Sequence, residues 1–215
     1  MSSLNILVDK IRCPWPSPNG ILKKIPRLSL AKPKCIRTRF LVKSTSDNIQ
    51  TDRLALRRFT QADATEVFSE ITPTLTRYMT FEPPDGLAAF EKIWRRWIRS
   101  MDDGSEYTFV IRHRQTANFI GIAALHRAAE REPELGVWVS EREHGNGYGR
   151  EAVRAVVGWC DARFSPTAYR YPVAEENWPS RHIAESLGGR VAGTETTEKF
   201  ASVVYRIPAP LPPSA

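Results

Sequence analysis

No stretch of this chain stays apolar for the roughly 18 residues that a bilayer-spanning helix requires, which excludes that class. Cysteine is scarce. Cys13, Cys35 and Cys160 are odd in number and lack any Cys-x-x-Cys spacing, so they point to neither a disulfide framework nor a zinc site, and they fit a reducing compartment. The four histidines are scattered without metal-ligand spacing, and no metal is expected. No internal repeat is present.

Acidic residues are nearly missing from one region. Residues 1–46 hold ten Lys/Arg against Asp9 alone, so the net charge of +7 belongs to this segment. The remainder has 21 basic and 23 acidic residues, a net of −2, and carries no nucleic-acid signature of its own. Prolines at 14, 16, 18, 26 and 33 break any long helix in the segment. Its acid-poor, Ser/Lys/Arg-rich composition resembles an organellar transit peptide. An overhang, a start assigned too far upstream and a phosphate-binding arm are the other readings. Cytoplasmic location is expected, with an organelle as the alternative if the segment is an address. Residues 1–48 are expected to be a poorly ordered extension, 49–208 one domain, and 209–215 a Pro-rich tail.

What is present in the body is globular: 41% hydrophobic and 26% charged residues across 215 positions, enough for one packed domain. Leu54 to Phe59 alternates as a strand, and "TQADA" opens a helix with Thr60 or Asp63 as N-cap. Pro73, Pro83 and Pro84 mark a Thr-rich loop. From Leu87 to Met101, apolar residues at 87, 90, 94, 97, 98 and 101 make one buried helical stripe, with Trp94 and Trp97 in the core. Strands follow at Tyr107–His113, Phe119–His126 and Glu134–Val139. A helix runs from Arg150 to about Arg163, "AYRYPVA" is a strand, and "PSRHIAESLGG" is a helix closed by its glycines. "GRVAGTE" and "SVVYRI" end the series. The expectation is an α/β (α+β type) domain: six or seven mostly antiparallel strands flanked by about four helices.

The stretch "EHGNGYGREAV" gives up side chains at Gly145, Gly147 and Gly149 between a strand and a helix. Free amides and a helix dipole there suit an anion site, and missing Cβ atoms admit a phosphate; a glycine-rich turn with no ligand is the other reading of the loop alone. No Gly-Lys-Ser/Thr follows, so this is not a P-loop. The third glycine of a dinucleotide fingerprint would fall at Arg150, so that motif fits poorly too.

The succession "PELGVWV", "SEREHGNGYG", "REAVRAVVGWCDARF", "AYRYPVA", "EENWPSRHIAESLGG" resembles the GNAT superfamily of N-acetyltransferases. "TDRLALRRFTQADA" and "NWPS" resemble its ribosomal-protein N-terminal acetyltransferase branch. The likeness spans about residues 50 to 207. It implies acetyl-CoA as co-substrate, bound by His144, Gly145, Asn146, Gly147, Tyr148, Gly149 and Arg150 at the pyrophosphate. It implies that Val137, Trp138 and Val139 pair with the pantetheine arm, that Asn177 holds the arm further along, and that splayed central strands form the acyl-CoA slot. Gly136 is expected to mark a bulge that produces the splay.

Under this resemblance an ammonium must lose a proton before attacking the thioester. Glu134, on the same face as Gly136 and Trp138, is a candidate base, and an ordinary strand-edge carboxylate otherwise. Ser180 is a candidate donor near the sulfur, or simply a helix cap. The sequence departs from the family at His144 and Asn146, where phosphate-facing charge is lost, at Ala184, where many relatives place a general-acid tyrosine, and at Gly189. The acceptor is an amine on a protein N-terminus or small molecule, in a monomer or homodimer. Arg77, Tyr78 and the segment 72–85 are expected to border its pocket. Nucleic acid and membrane are not expected as partners. A non-catalytic acyl-CoA-binding scaffold is the alternative to an enzyme.

Overall fold

The computed structural model describes residues 47–209. Expectations placed on residues 1–46 and 210–215 lie outside the described residues. The sheet has eight strands: β1 (Asn48–Gln50), β2 (Leu54–Arg58), β3 (Tyr107–His113), β4 (Phe119–His126), β5 (Glu134–Val139), β6 (Ala168–Ala174), β7 (Arg190–Thr196) and β8 (Ala201–Pro208). Five helices accompany them: α1 (Ala64–Ser69), α2 (Pro73–Thr76), α3 (Leu87–Asp103), α4 (Tyr148–Phe164) and α5 (Trp178–Ser186). The strand order is β1-β2-β3-β4-β5-β6-β8-β7, antiparallel throughout except where β5 meets β6.

The class is the one the sequence implies, with more elements. The additional strand, β1, is three residues long, too short for alternation to register. The additional helix, α2, is one turn inside the Thr-rich loop. Pro73 sits in its first turn, and the Thr72 hydroxyl accepts the Leu75 N–H at 3.0 Å. Proline there starts a turn rather than a loop, because its missing N–H would be unpaired anyway.

Two clusters of buried side chains sandwich the sheet. On one face, Leu54, Leu56, Phe109, Ile111, Leu135, Tyr169 and Tyr171 pack with Ala152, Val156 and Cys160 of α4 and Ala184 of α5. On the other, Phe59, Val110, Phe119 and Ile122 pack with Val67 of α1 and Phe90 and Trp94 of α3. Trp97 stands edge-on to Phe59 at 5.3 Å, so both tryptophans of that helix serve the core. Cys160 is fully buried, and burial pushes its thiol up to about 11, which makes it core material rather than a nucleophile.

The helix after the glycine loop begins two residues earlier than its pattern implies. Gly147 is the N-cap in the left-handed conformation (φ 75°), and Gly149 lies inside the first turn. A Cβ on Gly149 would stand 3.0 Å from Ile183 Cδ1, so this glycine lets α4 and α5 approach.

Candidate functional site

β5 and β6 share one rung. Glu134 pairs with Arg170, and the Arg170 N–H donates to the Pro133 carbonyl at 2.9 Å. Beyond it the strands diverge, although β5 continues to Val139 and β6 to Ala174. Gly136 does not cause this. The β4–β5 ladder is unbroken from Gly121↔Val139 to His126↔Glu134, with no extra residue in β5. The fork lies between two antiparallel blocks, each satisfied on its outer side. The glycine that admits close backbone approach is Gly121 across the ladder, where a Cβ would stand 2.1 Å from the Trp138 carbonyl oxygen.

Ladder parity decides what lines the fork. The Ser140 N–H donates to the Ile120 carbonyl at 2.8 Å, which marks Ser140–Ile120 as a hydrogen-bonded pair. Such pairs alternate in an antiparallel ladder. Gly136 and Trp138 therefore turn N–H and C=O toward β4, while Val137 and Val139 turn theirs into the fork. Of the three residues expected to pair with a pantetheine arm, two have backbone groups to offer. The Trp138 backbone is committed to β4, and its ring packs 5.7 Å from Phe119 on the α1/α3 face. The Val139 carbonyl already has a partner, His144 Nε2 at 2.8 Å, so His144 folds back onto the end of β5.

The glycine loop follows. Gly145 and Gly147 both have positive φ, 79° and 75°, which explains two of the three glycines by backbone conformation. A Cβ on Gly145 would meet nothing within 4 Å. Left-handed Gly147 followed by helical Tyr148 makes a concavity of amides, and the first-turn N–H groups of Tyr148, Gly149 and Arg150 have no carbonyl within the helix to bond. Asn146 directs its side-chain amide to the Glu143 carbonyl at 3.2 Å, closing the loop on itself. Open space, unpaired amides and a helix N-terminus fit a pyrophosphate.

On β6 and α5, Asn177 is the helix cap: its Oδ1 accepts the Ser180 N–H at 3.3 Å, which leaves its NH2 group to donate elsewhere. Ser180 is therefore not the cap. Its hydroxyl lies 3.0 Å from the Tyr171 hydroxyl, whose residue is 2% exposed. Burial pushes the Tyr171 phenol up to about 12. Glu134, at the closed end of the fork, accepts through Oε2 from Arg127 Nη2 at 2.6 Å and from Arg170 Nε at 3.4 Å. Its Oε1 has no hydrogen-bond partner among the described residues.

The segment 72–85 bridges the open end of the fork. Thr72 Oγ1 bonds Glu141, just past β5, and Arg77 Nη2 stands 3.9 Å from Glu176, just past β6. Lys199, in the β7–β8 turn, donates to the carbonyls of Thr76 at 3.0 Å and Phe81 at 3.2 Å and pairs with Glu82 at 2.7 Å. The lead-in to the glycine loop is tied down as well: Ser140 Oγ donates to Glu70 Oε2 at 2.6 Å, and Arg142 pairs with the other oxygen.

Three side chains at this site carry no spacing signal: Arg53, Glu151 and Tyr171. Arg53 Nη1 donates to the Asn146 carbonyl at 3.0 Å, and its Nε donates to Glu151 Oε2 at 2.7 Å. Arg53 and Glu151 are 98 positions apart. "TDRL" marks a resemblance without assigning Arg53 a role, and only the fold brings these groups together.

Solved structures share this architecture. A candidate ribosomal-protein-serine acetyltransferase of Vibrio cholerae is 24% identical, with 75% of this chain and 97% of that one covered at a TM-score of 0.64. The spermidine N-acetyltransferase of Vibrio cholerae, in complex with CoA and spermine, is 20% identical, with 73% and 95% covered and a TM-score of 0.62. RimJ of Mycobacterium smegmatis, in complex with CoA-disulfide, is 19% identical, with 73% and 82% covered and a TM-score of 0.65. At these identities the likeness is one of fold. No curated protein matches the chain in sequence. The family model of the acetyltransferase (GNAT) domain matches residues 53–190, from the arginine that clasps the glycine loop to the first residue of β7. The chain belongs to the GNAT acetyltransferases, and is an acyltransferase by that membership.

Proposed function

We propose that the protein moves the acetyl group of acetyl-CoA to a primary amine, on a protein N-terminus or a small molecule, by direct attack in a ternary complex. The fork between β5 and β6 supports this reading most: it opens beside a glycine loop whose free amides fit a pyrophosphate, and it is lined by the unpaired backbone of Val137. Acceptors of both kinds are named for proteins of the same fold, spermidine for one and, for another, ribosomal L7/L12 as an alpha-N-protein substrate.

The amides from Gly145 to Arg150 take the pyrophosphate. Val137 pairs with the pantetheine arm through N–H and C=O, Val139 through its N–H, and Asn177 donates its free amide further along. The co-substrate contributes an activated acyl carbon as its thioester. Glu134 takes the ammonium proton on Oε1 while Arg127 and Arg170 hold Oε2 in place. The amine nitrogen bonds to the acyl carbon, the carbon–sulfur bond breaks, and a backbone amide of the fork donates to the carbonyl oxygen as negative charge develops. Ser180, hydrogen-bonded to Tyr171, passes a proton to the departing thiolate and recovers one from the attacking nitrogen, which sheds its second proton as the amide forms, so the serine ends neutral. The acceptor amine enters on the α1/α3 face, past Arg77 and Tyr78.

A thiol-release assay with acetyl-CoA and a panel of amines, spanning N-terminal peptides, amino acids and polyamines, tests this reading. Free thiol with at least one amine is expected. Binding of CoA with no amine releasing thiol would leave an acyl-CoA-binding protein, and absence of CoA binding would overturn the proposal.

A further inference from the structure

We infer that Arg53 is the positioning residue of the glycine loop: it sets the direction of a loop amide and masks the one acid in the first turn of α4. The inference rests on the cofactor reading above and goes beyond it, because Arg53 lies outside the loop, ahead of β2, and reaches the loop through its side chain.

The geometry has two parts. Arg53 Nη1 holds the Asn146 carbonyl at 3.0 Å. In a planar trans peptide the following N–H points opposite to the carbonyl. Anchoring the Asn146 oxygen on Arg53 therefore aims the Gly147 N–H away from Arg53, and it joins the first-turn amides of α4 as a donor without a partner inside the helix. Gly147, on one side of this peptide, tolerates either sign of φ, so the peptide plane is held by its hydrogen bonds rather than by sterics. Without the arginine the peptide can flip and present a carbonyl, rather than an amide, to an anion.

The second part is charge. Glu151, the only acid in the first turn of α4, puts a negative charge within one turn of the amides proposed to take the pyrophosphate. Arg53 Nε and Nη2 lie 2.7 and 2.6 Å from Glu151 Oε2, the Arg53 N–H donates to Oε1 at 3.2 Å, and Thr51 Oγ1 donates to Oε1 at 2.5 Å. Burial raises the Glu151 carboxyl, yet these hydrogen bonds outweigh it and hold the group below its ordinary range, so the acid is an anion at neutral pH. The Arg53 guanidinium pairs with that charge. That guanidinium is itself fixed over the Tyr148 ring, 4.7 Å from the centroid. The planar fork of arginine reaches the loop carbonyl from Nη1 and the carboxylate from Nε and Nη2, separate nitrogens held in one plane, where lysine has a single nitrogen.

Calorimetric titration of the full chain with CoA, on Arg53→Ala, Arg53→Lys, Glu151→Gln and the Arg53→Ala/Glu151→Gln double variant, tests the inference. Arg53→Ala is expected to weaken CoA binding about tenfold, the scale of one charge-assisted contact, while turnover at saturating acetyl-CoA stays near that of the parent. Arg53→Lys, which retains a charge for Glu151, recovers less than half of the loss on a logarithmic scale. The double variant binds more tightly than Arg53→Ala, because the unmasked acid is gone. Thermal melts accompany each titration, and if Arg53→Ala unfolds, the lysine variant decides. Parent-like affinity in the alanine or lysine variant overturns the inference while the cofactor reading stands. A double variant no tighter than Arg53→Ala overturns the charge-masking part. A parent protein that does not bind CoA removes the cofactor reading and this inference together.

Discussion

Arg127 Nη2 stands 2.6 Å from Glu134 Oε2, so the candidate base is held by one oxygen and open at the other. This relationship sharpens what Glu134→Gln tests. The amide keeps the shape but cannot accept a proton. Turnover is expected to fall by about 100-fold or more near neutral pH, the usual worth of a positioned base. The Michaelis constant for acetyl-CoA should barely move, and rising pH should restore part of the rate, since more of the amine then arrives neutral. A raised Michaelis constant for the amine with normal turnover would make Glu134 an ammonium-binding group instead. Both constants measured from pH 7 to 9.5 on the best amine separate these outcomes.

Gly147 has a backbone conformation that disfavours a side chain. Its φ is 75°, and a Cβ would lie 3.7 Å from Arg53 Nη2. The sequence places the added side chain in the path of the phosphate. The structure places it against the arginine, in a backbone conformation that a β-branched residue resists by about 1–2 kcal/mol. Gly147→Val is expected to abolish measurable CoA binding in a calorimetric titration while lowering the melting temperature by only a few degrees. Unchanged affinity would remove the loop from the site.

Asp63 is the buried charge beneath the α1/α3 face, 2% exposed. Burial raises its carboxyl, but hydrogen bonds from Arg57, including Nη1 at 2.8 Å, and from the Thr60 N–H at 2.9 Å and hydroxyl at 2.8 Å bring it below the ordinary range. A carboxyl lowered in the folded state stabilises the fold at pH values above its ordinary unfolded value. That stability is lost as pH falls through the depressed folded value, below about pH 4. Asp63→Asn should therefore destabilise by about 2 kcal/mol at pH 7 and by progressively less toward pH 3. Denaturant melts of both proteins across that range measure it; a constant difference at every pH would mean that shape, not charge, is what Asp63 contributes.

The sequence is legible where periodicity is local. Tyr107–His113, Phe119–His126, Glu134–Val139 and Ala168–Ala174 stand where their alternation and apolar runs place them. Short elements escape it: β1 has too few residues, and α2 is a single turn begun by a proline. The site is legible in part. Gly145 and Gly147 announce a backbone of unusual conformation, but Gly149 turns out to serve helix packing. Gly136 looks like a bulge because glycine inside a strand often is one, whereas the close approach occurs at Gly121 on the neighbouring strand. Which backbone faces the fork depends on ladder parity, and no single strand encodes its partner's register. The Arg53–Glu151 and Tyr171–Ser180 contacts join residues on different elements, beyond the reach of spacing.

The hydroxyls of Tyr171 and Ser180 lie 3.0 Å apart. Ser180 is the group proposed to protonate the thiolate, and Tyr171 is proposed to act through it as the donor of their shared hydrogen bond, which turns the serine hydrogen outward. Burial pushes the phenol up to about 12, so Tyr171 stays protonated throughout an assay from pH 7 to 10. Ser180→Ala is expected to lower turnover by about 100-fold, on the scale of a positioned acid. Tyr171→Phe keeps the buried ring and should lower turnover by about tenfold, with the Michaelis constant for acetyl-CoA unchanged and the same deficit at every pH in that range. Combined, the two changes should be no worse than Ser180→Ala alone, because groups acting in series are not additive. A double variant slower than Ser180→Ala would show that Tyr171 contributes by a separate route, and a deficit that grows with pH would show that the phenol ionises during the reaction.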